Sequence, residues 1–236
     1  MIKKIAFLLV MFQLTACAEL QQVAGSMLES GTLSNDQIGL GLKEALNVGI
    51  SNGTDKLSAR DGFLKGAYKI LLPEEVREVT NKLQVIPGFS NVEDKMVELL
   101  NRGAEDAAKS AKPIFVSAIK QMSFTDALDI LMGPDNSATN YLNRTTNTQL
   151  YNAFSPKIGN SLDRVNATKY WSDAISAYNK IPFVKKVNPD LNDYVTQQAL
   201  KGLFSMVEKK EKEIRHNVSE RKTDLLKKVF AKQDNR

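Results

Sequence analysis

Glu98, Arg102 and Glu105 are spaced four and three residues apart, which places all three on one face of a helix. Two helix-borne carboxylates suit the acid chemistry that cleaves glycans. The same spacing also describes a structural ladder of ion pairs, and that reading is the simpler one. A second polar group surrounds Arg144, where Thr139, Tyr141, Thr145, Thr146 and Thr148 supply hydroxyls. A guanidinium among hydroxyls can hold a phosphate or carboxylate, or it can line a solvated helix face with capping threonines. Other chemistries lack the residues they need. The only histidine is His216, inside the charged run Lys212 to Glu220, and a nucleophilic triad would have to rest on it alone. One imidazole and one cysteine cannot make a structural zinc site. Gly39-Leu40-Gly41 falls within a helical pattern and is not a phosphate-binding loop. The aromatic residues Tyr170, Trp171, Tyr178 and Phe183 would form either an exposed platform or, more simply, core.

The single cysteine, Cys17, ends the run Leu14-Thr15-Ala16-Cys17. Ahead of it lie Lys3 and Lys4 and the eight uncharged residues Ile5 to Phe12. A basic start, a short apolar core and small residues before a cut are the parts of a secretory signal. The apolar segment is too short to span a bilayer, which takes roughly 20 residues. With cysteine in this place the run resembles a bacterial lipobox. That resemblance implies removal of residues 1–16 and lipidation of Cys17 as the new N-terminus; Ala18, which is not aspartate, implies the outer membrane, facing the periplasm. No other cysteine exists to form a disulfide.

The remaining chain, 236 minus 16 or 220 residues, is long enough for a well-buried core. Its formal charge, 30 basic minus 27 acidic residues or +3, gives no reason to expect nucleic acid as a partner. Basic residues from Lys201 to Lys232 alternate with acids, as on a solvated helix face; a weak basic patch facing anionic lipid is the alternative.

The elements that must position these residues read as helices throughout. Residues 17–33 are small and polar and suit a tether. Ser34 with Gln37 forms a capping box that opens a helix, expected to weaken at Ser51-Asn52-Gly53 and to resume to about Ala59. Pro73 suits the first turn of the next helix, which Pro87-Gly88 would end. A long apolar period runs from Val92 to Met122, with a kink or break expected near Lys112 because Pro113 lacks an N–H. Ser123 with Asp126 starts a short helix that Gly133-Pro134 stops. A helix over about 137–152 follows, and Pro156, Gly159 and Pro182 are expected to divide the next stretch into two pieces. Asp190 caps a helix running toward Ile214, and a last helix holds Leu225, Leu226, Val229 and Phe230. No strand alternation is sustained. The prediction is an all-α fold, a single compact bundle of about eight helices over residues 34–236.

Several runs carry a resemblance to a family. They are Gly41-Leu42-Lys43-Glu44-Ala45-Leu46, Asn101-Arg102-Gly103-Ala104-Glu105, Lys112-Pro113-Ile114-Phe115, Asp126-Ala127 with Ile130-Leu131, Tyr194-Val195-Thr196, Ala199 to Phe204, Ile214-Arg215, and Leu225 to Phe230. Together they make the chain resemble the bacterial family termed domain of unknown function 4197. The resemblance implies an all-helical secreted or lipid-anchored protein and supplies no catalytic residues, cofactor or metal. It draws attention to Asn101, Arg102, Glu105, Tyr141, Arg144, Thr145 and Arg215 as a candidate polar cleft. The function expected first is a non-enzymatic envelope module binding a protein, a lipid or another envelope component, its contact with the membrane being the lipid on Cys17. The alternatives are a glycan hydrolase or lyase with Glu98 or Glu105 as acid, and a carrier whose apolar cavity is lined by Ile114, Phe115, Leu203 and Phe204.

Overall fold

The computed structural model describes residues 34–74, 76, 77, 91–163 and 167–234, and all the described regular structure is helical. The lipobox, the tether, Pro87-Gly88 and Val165 lie outside these residues. Eight α-helices are described: α1 (Asn35–Ser58), α2 (Val92–Ala108), α3 (Ala111–Gln121), α4 (Phe124–Met132), α5 (Ser137–Asp163), α6 (Ala167–Tyr178), α7 (Leu191–His216) and α8 (Asp224–Asp234), with a 3-10 turn at Val218–Glu220. Glu74, Val76 and Arg77 are also helical, and Val76 and Arg77 donate to the Pro73 carbonyl, so a helix starts at the expected proline. α1 and α5 each pack on α2, α3, α4 and α7, which lie between them. Both capping boxes form: Ser34 with Gln37, and Ser123 with Asp126.

Three boundaries differ from expectation, each because packing overrides a local signal. α1 runs unbroken through Asn52-Gly53, for Gly53 is the point where α1 and α7 touch. A Cβ there would lie 2.0 Å from the Met206 sulfur. The break between α2 and α3 falls at Lys109-Ser110 rather than near Lys112. Pro113 is the third residue of α3, where an N–H has no intrahelical partner to lose. α5 passes through Pro156 without dividing. Leu150, Phe154, Ile158 and Leu162, spaced by four, are all completely buried, and this continuous apolar row outweighs one missing hydrogen bond.

Between α1 and the helix at Pro73, residues 59–72 form a strap without regular structure, yet Phe63, Ile70 and Leu72 are buried. Three turns shape it, in which the N–H groups of Gly62, Lys65 and Gly66 donate to the carbonyls of Ala59, Asp61 and Phe63.

Candidate functional site

Strap backbone inside a bundle needs hydrogen-bond partners, and α2 supplies them. The Asn101 side chain accepts from the Ile70 N–H at 2.8 Å and donates to the Ile70 carbonyl at 2.8 Å and the Val97 carbonyl at 2.7 Å. Glu105 accepts from the N–H groups of Phe63 at 3.2 Å and Leu64 at 3.1 Å, and from Arg102 at 2.7 Å. Arg102 also reaches Asp61 at 2.7 Å, while Glu98 stands 3.6 Å away and half exposed. Hydrogen bonds from Lys65 and Arg102 hold the Asp61 carboxyl below its ordinary 3.8. Hydrogen bonds to Glu105 and Asp61 raise Arg102 further above the ordinary arginine value. Three donors engage the buried Glu105 carboxylate, two at Oε1 and one at Oε2.

Arg215 belongs to a second network. Its guanidinium donates to the carbonyls of Ile130 at 2.7 Å and Leu131 at 3.2 Å, at the C-terminal end of α4, and to Glu211 at 3.0 and 2.8 Å. Glu211 accepts from the N–H groups of Ala138 at 2.9 Å and Thr139 at 2.8 Å, in the first turn of α5, and from the Thr139 hydroxyl. A buried ion pair thus sits with its cation at one helix C-terminus and its anion at the next helix N-terminus, each sign matched to the local dipole. Tyr141, Arg144 and Thr145 form a third group on α5. The Arg144 guanidinium lies 5.6 Å from the centre of the Tyr141 ring, and the Thr145 hydroxyl donates to the Tyr141 carbonyl at 2.8 Å. The seven positions singled out from sequence are therefore divided among three networks. Among the described residues no side-chain hydrogen bond joins the seven positions of one network to those of another, and none of the seven lines the clefts described below.

The C-terminal basic run is also less uniform than a solvated face. Lys212 and Glu208 pair on the surface at 2.6 Å, but Glu211, Arg215 and Arg221 are buried. Arg221 donates to the carbonyls of Ile214 and Arg215 at the end of α7 and to Asp234 of α8, and stacks over Phe230. Trp171 is core, its indole donating to the Asn188 carbonyl at 3.0 Å. His216 lies on the surface against Asp135. Phe115 and Phe204 pack edge to face at 5.9 Å and, with Ile114 and Leu203, fill the interior proposed for an apolar ligand. Among the described residues no group of three or more histidine, cysteine or acidic side chains is placed to hold a metal.

The open space lies elsewhere. A cleft of about 430 Å³ separates the C-terminal half of α1, the strap and α7, lined by Lys56, Asp61, Lys65, Tyr68, Met206, Lys209, Lys210 and Glu213 among others. Tyr68 also lines a shallower depression of about 320 Å³ that continues past Lys201 and Gly202. The strap runs close against the end of α1, where a Cβ on Gly62 would lie 2.3 Å from the Lys56 carbonyl oxygen. The hydrogen-bonding capacity of the walls is one-sided. Asp61 is held by Arg102 and Lys65, and Glu213 by Lys210. The ammonium groups of Lys56 and Lys209 and the hydroxyl of Tyr68 have no hydrogen bond or ion pair among the described residues. Burial, and then the charge of Glu213, push the Tyr68 phenol above its ordinary 10.0, so it keeps its proton. Four lysines against two acids leave a formal +2 in the cleft. Sequence reading missed this site because Lys56, Tyr68 and Lys209 stand in three separate stretches; the only local sign was the glycine-rich run Asp61 to Gly66.

A family model described as protein of unknown function (DUF4197) matches residues 32–231. No curated protein and no solved structure matches the chain.

Proposed function

Taking as premise that the chain belongs to the DUF4197 family, whose description assigns no activity, we propose that it is a membrane-tethered, non-enzymatic module of the bacterial envelope that binds an acceptor-rich anion in the cleft between α1, the strap and α7. The observation that carries this reading is the surplus of unused donors, Lys56, Lys209 and Tyr68, beside two acids that are already paired. A cleft of this size suits a small ligand. Its cations are ammonium groups, which act as separate point charges. A planar carboxylate is matched best by the arginine fork, whereas several spaced lysines suit the distributed oxygens of a phosphate group. The polar residues that catalysis would need, Glu98 and Glu105, stand outside the cleft, and Glu105 is consumed in holding the strap. The tether is the segment before Ser34, with the lipid on Cys17 and the outer membrane, facing the periplasm, as its place.

Calorimetric titration of the purified full-length protein with inorganic phosphate and pyrophosphate tests the cleft. Lys56→Gln combined with Lys209→Gln should weaken binding by about tenfold or more, equivalent to about 1.4 kcal/mol. Because Lys56 and Lys209 are exposed, the doubly substituted protein should melt as the parent does. Undiminished affinity in that variant would sink the assignment.

A further inference from the structure

Apolar side chains normally leave water unless something keeps them there, and the segment between α6 and α7 keeps a set of them outside. Phe183 is 106% exposed and Ile181 53%. Pro182 beside them is exposed, as are Lys180, Lys185 and Lys186. Phe183 adopts φ 66°, a left-handed backbone that a bulky residue enters only when its surroundings impose it. The base of the loop does so. The Asn179 side chain accepts from the Val187 N–H at 2.9 Å and donates to the Val187 carbonyl at 2.7 Å, closing the segment like one rung of a ladder. Ile181 N–H donates to the Tyr178 carbonyl at 3.0 Å, and Trp171 pins Asn188 just beyond. The tip is therefore a pre-formed projection.

We propose that residues 180–186 are a second membrane contact, in which Ile181, Pro182 and Phe183 enter the interfacial layer of an anionic phospholipid bilayer while Lys180, Lys185 and Lys186 meet its headgroups. Charge complementarity identifies the occupant: seven consecutive residues hold three lysines and no acid, and basic groups flanking an apolar tip are drawn to an anionic surface. Shape agrees. A stable protein interface buries about 1,200 Å² or more, whereas a bilayer accepts a small convex tip without a matching pocket. No described helix is long and apolar enough to cross a membrane, so the contact is superficial.

The fold also sets the orientation. Gly49 of α1 faces Ile214 of α7 and Gly53 faces Met206, so the two helices are antiparallel, and Ser34 and the loop lie toward opposite ends of α7. The 26 residues of α7 span about 39 Å. The 17 residues from Cys17 to Leu33 reach about 56 Å at full extension, enough for anchor and tip to meet one bilayer with the bundle lying along it. The orientation rests on the proposed anchor; insertion of the tip does not, nor on what the lysine cleft binds.

Tryptophan fluorescence of the full-length protein on vesicles tests this directly. Phe183→Trp adds an indole to a chain whose only other, Trp171, is buried. Val218→Trp, at an exposed position beyond the other end of α7, is the comparator. On phosphatidylethanolamine vesicles containing phosphatidylglycerol, the indole at 183 should emit further to the blue and be quenched by acrylamide several-fold less than the indole at 218. Adding Lys180→Gln and Lys186→Gln, or using phosphatidylcholine vesicles, should remove most of that protection. Equal quenching at 183 and 218 on anionic vesicles would overturn the contact. Protection without lipid that grows with protein concentration would also overturn it, marking self-association instead. Protection unaffected by the lysine substitutions would overturn their role.

Discussion

Asn101 does for the strap what a neighbouring strand does in a sheet, pairing both backbone groups of Ile70 through one carboxamide. Truncation to alanine strands a buried N–H and carbonyl together, and buried unpaired groups cost about 1–3 kcal/mol each. Asn101→Ala should therefore lower unfolding stability in urea by about 3 kcal/mol, far more than an exposed Asn140→Ala. Tyr151 supplies a pH-dependent tie between α5 and α7. Its hydroxyl donates to Asp193 at 2.7 Å, and that hydrogen bond, followed by burial, pushes the phenol up to about 12 from 10.0. A raised folded value means the contribution is complete below pH 10 and is lost as pH rises through 12. Comparing stability against pH for the parent chain and Tyr151→Phe should show the difference between them shrinking across that interval.

Where helices meet, the Glu211–Arg215 pair fastens the end of α4 to the beginning of α5. Arg215→Met alone leaves a buried carboxylate without its cation, and its expected cost is about 3–5 kcal/mol by chemical denaturation. Replacing both partners by apolar residues is often neutral at a buried pair. Here Glu211→Leu with Arg215→Met should remain destabilised, because the N–H groups of Ala138 and Thr139 lose their acceptor. Full recovery in the double variant would show that the caps contribute nothing. Helix starts were readable from sequence because a capping box is a local device, complete within four residues, as at Ser34 and Ser123. Gly53 and Pro156 misled for the opposite reason. What keeps the helix whole at each is packing against elements remote in sequence, Met206 of α7 at Gly53, and α2, α3 and α7 against the buried row of α5 at Pro156.

Across the described residues, the all-α class and a helix count close to eight were legible in apolar periodicity, which records each helix's own buried face. The binding cleft was not, since it depends on how Lys56, Tyr68 and Lys209 meet after folding. Of the polar residues most conspicuous in sequence, Asn101, Glu105 and Arg215 instead hold backbone that lies outside regular ladders, and Arg102 ties Glu105 to Asp61. The proposed lipid anchor concerns the molecule as a unit: in a chain carrying Lys180→Gln and Lys186→Gln, so that the loop adds little attraction of its own, Cys17→Ser should move the full-length protein from the membrane pellet to the soluble fraction, and unchanged fractionation would refute lipidation.

The strap gives the cleft a place in time as well as in space. Its N–H groups at Phe63 and Ile70 find acceptors 42 and 31 residues further along the chain, on a helix that has to dock before they can be shielded. α1 and α7 can each form from local hydrogen bonds, but the wall between them cannot. The cleft therefore depends on that docking, and a local opening that frees the strap would remove its wall. A ligand that bridges Lys56 and Lys209 would slow the exchange of amide hydrogens at Ile70, a residue it never touches.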